Sequence, residues 1–506
     1  MRRTFVWLTA AAVAMAALLA FLPAAGHDQL WLLYVAEHMR QGETLYGPTL
    51  FESNPPLIVW ISLLPAMVAH LLHLESATVG KALLLLLEAA VAMLGMRLLT
   101  RLSPTQKAML AFAAVVVYNV LPARDIGQRD HILALLVLPY LLLVSRELRG
   151  ERTPLSMGVP VALLAMVGFA LKPQEAVVAV VLEAALLLRR RSLRSLLRPA
   201  PICFLLGAAL YFELIRTLAP LYLSSILPLL RETYWAFGHR TVPQLAFDAI
   251  ELHILLAITA VFYFVRKPAS TLPETLLLAG AAATGAYYLQ GTGWYYQQLP
   301  GLAFTSFALV ALVLPEMDAI DVRTPRWVAT AAAALSVLAV ALTTHFMGYP
   351  FTRDRSFPID QPDASFFAGL KPGDAVATLT TTVDDTVMPA AKFHLTIAQR
   401  YPHLWMLPAI LRNESGTAPA AHKMTPEQLT KMEDAQHRFF REDIQRWQPK
   451  LILVNRCYDP AVHCQVLEDR HDDLLAWFAR DSATRALLAH YYPVDSRGNY
   501  DAFERR

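Results

Sequence analysis

Long apolar runs separated by short polar breaks fill the first 350 or so residues, and the pattern then changes. Runs at 5–25, 78–96, 108–122, 132–145, 155–171, 176–188, 200–219, 247–265, 272–290, 298–315 and 327–346 approach or reach the ~20 residues a helix needs to cross hydrocarbon. About eleven spans are expected. A further run, 57–74, follows Pro55-Pro56 and contains Pro65, His70 and His73. The placement of Lys and Arg arbitrates, because inside loops collect them. If 57–74 does not span, the inside loops hold Arg97, Arg101, Lys107, Arg146, Arg149, Arg152, Arg189, Arg190, Arg191, Arg194, Arg198, Arg266, Lys267, Arg323 and Arg326. If it spans, every one of those clusters moves outside. We therefore read 57–74 as a re-entrant or interfacial helix. The first run follows Arg2 and Arg3 and exceeds the ~7–15-residue core of a signal peptide, so it reads as an uncleaved anchor. With an odd count of spans, the N-terminus is cytoplasmic and the C-terminal part extracytoplasmic.

Beyond the last run, Pro350, Pro358, Pro362 and Pro372 mark a linker over 350–373. Short buried strands are expected at 375–380 and 451–454, and helices at 426–447 and 466–479. The expectation is a polytopic α-helical membrane protein with a small C-terminal α/β extracytoplasmic domain. Residues 1–349 would form the membrane domain, with an outer juxtamembrane loop at 26–76, and residues 350–506 the outer one. Charge supports the split. Residues 1–349 carry 25 Lys/Arg and 20 Asp/Glu, whereas the far shorter 350–506 carries 19 and 21. The net charge of +3 is too small to argue for nucleic acid. Cys457 and Cys464 lie in the outer part, where an oxidising compartment favours a disulfide over free thiols or a metal pair.

Charge inside a membrane part is costly and therefore informative. On the outer side it gathers in few places. Asp28 follows the first run by two residues and opens an amphipathic helix that Gly42 ends; a plain helix cap is the simpler reading of Asp28 alone. The same loop carries His27 and Glu52. The second outer loop holds Arg124, Asp125, Arg129, Asp130 and His131, more than a cap needs. Lys172-Pro173-Gln174-Glu175 sits between two apolar runs and would line a cavity or form a mutual ion pair. Tyr295 and Tyr296 stand in the last outer turn, in part as an interfacial aromatic belt.

The setting Asp28, Ala36, Met39, Gly42, then Phe51-Glu52 and Pro55-Pro56-Leu57, with Asp130 in the second outer loop and an outer C-terminal domain, resembles the GT-C glycosyltransferases. These are integral membrane enzymes that use polyprenyl-phosphate-linked sugars. The most similar members are the bacterial dolichyl-phosphate-mannose protein mannosyltransferase type and the lipid A aminoarabinose transferases. Here Glu52-Ser53-Asn54-Pro55-Pro56 replaces the shorter Glu-Lys-Pro-Pro of the latter group, and Gln29 follows Asp28 where an acidic residue often stands. The resemblance implies transfer of a sugar to an extracytoplasmic glycan, lipid or protein across a bacterial inner membrane. It implies Asp28 as general base or acceptor-orienting carboxylate. The residues beside it suggest Asp130 as a second acid that holds a cation or an arginine. Glu52, Arg124, Arg129, His131, Lys172, Gln174, Tyr295 and Tyr296 are the substrate-binding candidates. Glu52 and His27 are the candidate ligands of a divalent metal, although no spacing here is diagnostic. The competing reading is a polytopic lipid or glycan transporter or flippase. Against it stand the lack of repeated hydropathy halves and the outer-end placement of the charges.

Overall fold

The structure is a computed structural model that describes residues 14, 16, 17, 25–122, 125–238, 240–323, 362–462, 464–467 and 469–506. In chain order its helices and strands are α1 (His27–Arg40), α2 (Pro56–Leu72), α3 (Ser76–Leu98), α4 (Pro104–Asn119), α5 (Arg129–Leu148), α6 (Leu155–Leu171), α7 (Ala176–Arg190), α8 (Pro199–Leu218), α9 (Leu227–Thr233), α10 (Val242–Asp248), α11 (Ile250–Arg266), α12 (Thr271–Gln290) and α13 (Leu299–Arg323). There follow β1 (Ala375–Leu379), α14 (Asp384–Phe393), β2 (Thr396–Ile397), α15 (Leu407–Glu414), α16 (Pro426–Trp447), β3 (Leu451–Asn455), α17 (Leu474–Phe478), α18 (Ser482–Leu488), β4 (Tyr491–Arg497) and β5 (Tyr500–Arg505).

The nine expected apolar runs between 78 and 315 are all helical, but they are not equivalent. Four helices among the described residues are long and apolar enough to cross a membrane: Ser76–Leu98, Arg129–Leu148, Pro199–Leu218 and Tyr295–Leu314. The pair α10 and α11, bent by 78°, would make a fifth. The described residues thus do not confirm the expected count of eleven. The remainder are shorter, as with the 17 residues of α6, or diluted by small and polar residues, as in α12. The runs at 5–25 and 327–346 lie almost wholly outside the described residues. The expected interfacial segment is α2, which leaves Leu64, Met67, Leu71 and Leu72 exposed.

The described residues divide into two compact units; the division keeps a break near 350, and two earlier segments join the C-terminal side of it. One unit contains Val68–Leu214 and 240–323. Its centre is α5, buried along most of its length among α3, α6, α12 and α13. Close packing of α12 on α13 depends on Gly280: a Cβ there would lie 2.3 Å from Thr305 Oγ1 and 3.2 Å from Thr305 N. Small residues at a helix contact allow such approach where water gives no hydrophobic drive.

The other unit joins His27–Met67, 215–238 and 362–506. The 27–67 segment therefore belongs, as folded structure, with the C-terminal region and not with the helices that surround it in sequence. A five-stranded sheet in the order β2-β1-β3-β5-β4 is its frame, parallel over β2, β1 and β3 and antiparallel over β3, β5 and β4. The loop is tied on by main-chain bonds. Phe51 N donates to the Arg400 carbonyl at 2.7 Å. The Ile397 N–H donates to the Tyr34 hydroxyl at 3.2 Å. Phe51 also packs against Trp405 and Phe439. The 215–238 segment adds Trp235, stacked on His422 at 4.8 Å.

The expected strands are β1 and β3, and the expected helix at 426–447 is α16. The expected helix at 466–479 shrinks to Leu474–Phe478. Val466 has φ +72°, which no α-helix admits, and Asp473 caps the helix by accepting from Ala476 N at 2.9 Å. Cys457 and Cys464 are joined as a disulfide, with Cα atoms 5.3 Å apart.

Candidate functional site

In the helical unit, the charged residues picked out at the ends of apolar runs meet in one buried group. Asp130 occupies the first turn of α5, where the helix dipole favours a carboxylate. Lys172 ends α6 just before Pro173, which cannot continue the helix hydrogen bonding. Lys172 Nζ donates to both Asp130 oxygens, each at 2.8 Å, and lies 5.0 Å from the Tyr296 ring centre. Asp130 is 0 % exposed and Lys172 3 %. Glu175 is equally buried but has a different partner: Gln290 Nε2 donates to its Oε1 at 3.4 Å. The direct Lys172–Glu175 pair weighed from sequence is thus replaced by Lys172 on Asp130. Arg129 is part-buried and near enough for its charge to act on Lys172.

Other candidates of this unit stand apart from that group. Gln174 is exposed. His131 is buried and accepts the Gly127 N–H on Nδ1 at 3.0 Å, which closes the turn before α5. Tyr295 donates its hydroxyl to the Leu121 carbonyl at 2.6 Å. Arg124 lies outside the described residues.

In the sheet-containing unit, α1 begins at His27, and Gly42, at φ +102°, takes the chain out of it. His27 has a carboxylate at each ring nitrogen. Nδ1 is 3.1 Å from Asp384 Oδ1 at the start of α14, and Nε2 is 3.3 Å from Asp28 Oδ1. Burial opposes charge on this imidazole, but Asp28 and Asp384 together hold its pKa well above the usual histidine range. His403 lies within electrostatic reach of both His27 and Asp28, yet burial pushes it down to about 3, so its ring is neutral. Its ring is 5.0 Å from that of Phe237. Asp28 keeps 26 % of its side chain exposed.

Glu52 is 1 % exposed and its oxygens are occupied by its own loop. Trp31 Nε1 donates to one, and Asn54 N and Nδ2 donate to the other at 2.6 and 2.7 Å. As for a metal, among the described residues no three His, Cys, Asp or Glu side chains are grouped as ligands.

Sequence reasoning missed Asp384 and His403. Neither lies near an apolar run, and Asp384 is 357 residues from His27. The only local signal was the Asp384-Asp385 pair, which reads as ordinary N-terminal helix charge. Compared with known protein families and with curated proteins, the sequence matches none.

Proposed function

We propose that the protein transfers a sugar from a polyprenyl-phosphate-linked donor to an extracytoplasmic glycan, lipid or protein, as a multi-pass enzyme of a bacterial inner membrane. In this reading the acceptor hydroxyl oxygen attacks the anomeric carbon. The bond from that carbon to the phosphate oxygen breaks, and the phosphate leaves with the electron pair. Asp28 takes the hydroxyl proton. The leaving phosphate is a stable anion and needs positive charge more than a strong acid.

The observation that carries the reading is the contrast between the two outer aspartates. Asp130 is fully buried and committed to Lys172, so its service is to hold that ammonium in place. Asp28 stays partly exposed, next to a charged imidazole, and is the carboxylate a substrate hydroxyl can reach. The chain's likeness to the GT-C pattern over residues 26–60 points the same way.

The test is transfer of labelled sugar from a panel of polyprenyl-phosphate donors by the purified full chain. Asp28→Asn should lower kcat by on the order of 100-fold or more, as removal of a general base does, while the variant accumulates and melts like the parent. Near-parental transfer by that variant would sink the role of Asp28. Export of the intact lipid-linked donor without any transfer would favour a flippase instead.

A further inference from the structure

We propose that Asp384, carried by the C-terminal region, is a positioning residue that holds the Asp28 carboxylate through the His27 imidazole. This rests on the reading of Asp28 as the base. The geometry is a three-membered chain: Asp384 Oδ1 at 3.1 Å from His27 Nδ1, and His27 Nε2 at 3.3 Å from Asp28 Oδ1. An imidazole has two nitrogens on opposite sides of one rigid ring. Fixing one side against Asp384 therefore fixes where the other side meets Asp28. The side chains are 18 %, 26 % and 22 % exposed for His27, Asp28 and Asp384, so the array is sheltered without being sealed. The described groups facing His27 are Asp28 from α1, Asp384 from α14 and His403 from the turn after β2. Two carboxylates and one neutral ring leave the imidazole as the sole positive member of that array, and its raised pKa fits this.

The inference gives the C-terminal region a direct task. α14 packs along α1, and the residue that α14 presents at its start reaches the one beside the proposed base. One oxygen of Asp28 is engaged by His27, which sets the plane of the carboxylate before an acceptor arrives. Such alignment is worth much, since a displacement of about 1 Å can cost on the order of 100-fold in rate.

Two measurements on the full-length protein in detergent decide the matter. In the transfer assay, Asp384→Asn should lower kcat by at least about 10-fold with the donor KM unchanged, and Asp384→Glu should recover part of the loss. A merely structural role would not give that split or that rescue. Unchanged kcat for Asp384→Asn, in a protein whose Asp28→Asn variant is inactive, overturns the proposal. The second measurement does not depend on activity. The Tm effects of His27→Gln and Asp384→Asn should be non-additive in the double variant, as for groups in contact. Additive effects overturn the link. If the parent protein transfers sugar from none of the donors, the proposed reaction fails, and the Tm cycle still decides whether Asp384 holds His27.

Discussion

Lys172 and Asp130 form a deeply buried ion pair in the helical unit. Both groups are taken out of water, and their attraction must offset that cost. Breaking one half is then far worse than removing both. Lys172→Met should destabilise the protein by about 3–5 kcal/mol, because it leaves an unpaired buried carboxylate. Lys172→Met with Asp130→Asn should recover much of that stability. Melting in detergent checks both, and full stability of the single variant would contradict the pairing. These residues were legible as a pair of oddities, since a Lys and an Asp at the ends of apolar runs need a reason. Their partnership was not, because 42 residues separate them and Glu175 is nearer in sequence. Glu52, read from its pattern as a substrate or metal candidate, has the Trp and Asn of its own loop as neighbours.

Local chemistry did much of the work of placing the elements, and it failed where tertiary bonds override it. Helix α16 was readable from its opening Thr425-Pro426 and early Glu427, and the structure closes that end with a capping box in which Thr425 Oγ1 accepts from Gln428 N at 3.2 Å. The β4–β5 hairpin was missed although Gly498, at φ +53°, and Asn499 stand between the strands, a known hairpin signal. The polar face of β4, with its Asp, Ser and Arg, hid the alternation. The cap of α18 makes a quantitative case. Asp481 accepts from Thr484 N at 2.8 Å and from its hydroxyl at 2.6 Å, and pairs with Arg441 at 2.8 Å. Those bonds hold its carboxyl down to about 2. A depressed carboxylate stabilises above its unfolded value of ~3.9 and loses that effect as pH falls through the folded one. Asp481→Ala should thus cost about 1 kcal/mol at neutral pH. The difference from the parent, followed by thermal melts, should shrink between about pH 4 and pH 2. A deficit that stays constant over that range would assign the loss to something other than the ionised cap.

At the scale of the whole molecule, the hydropathy profile announced a break near 350, and it did not show that 27–67 and 215–238 fold with the C-terminal side of that break. Composition sees contiguous stretches, whereas the sheet-containing unit is assembled from three of them. The topology that goes with the proposed function has a direct check. A reporter fused after Arg152 should register on the cytoplasmic side, and one after Thr352 on the outer side; the reverse at Arg152 would make 57–74 a true span. The disulfide offers an independent marker of compartment. Protein isolated from cells under alkylation should carry Cys457 and Cys464 unmodified and Cys203 reactive once unfolded, as mass spectrometry would reveal.

The ties between α1 and α14 also have a clock. A ribosome adds about 5–20 residues per second, and His27 precedes Asp384 by 357 residues. The loop that bears Asp28 therefore waits roughly 20–70 s after its own synthesis before its partners exist. During that interval Phe51 lacks Tyr401, Trp405 and Phe439, the rings it packs against, which is the window in which a chaperone or a protease would meet it. A chain cut short anywhere before β1 would keep every residue of the 27–67 segment and lack the Asp384, Ile397 and Arg400 partners that hold it.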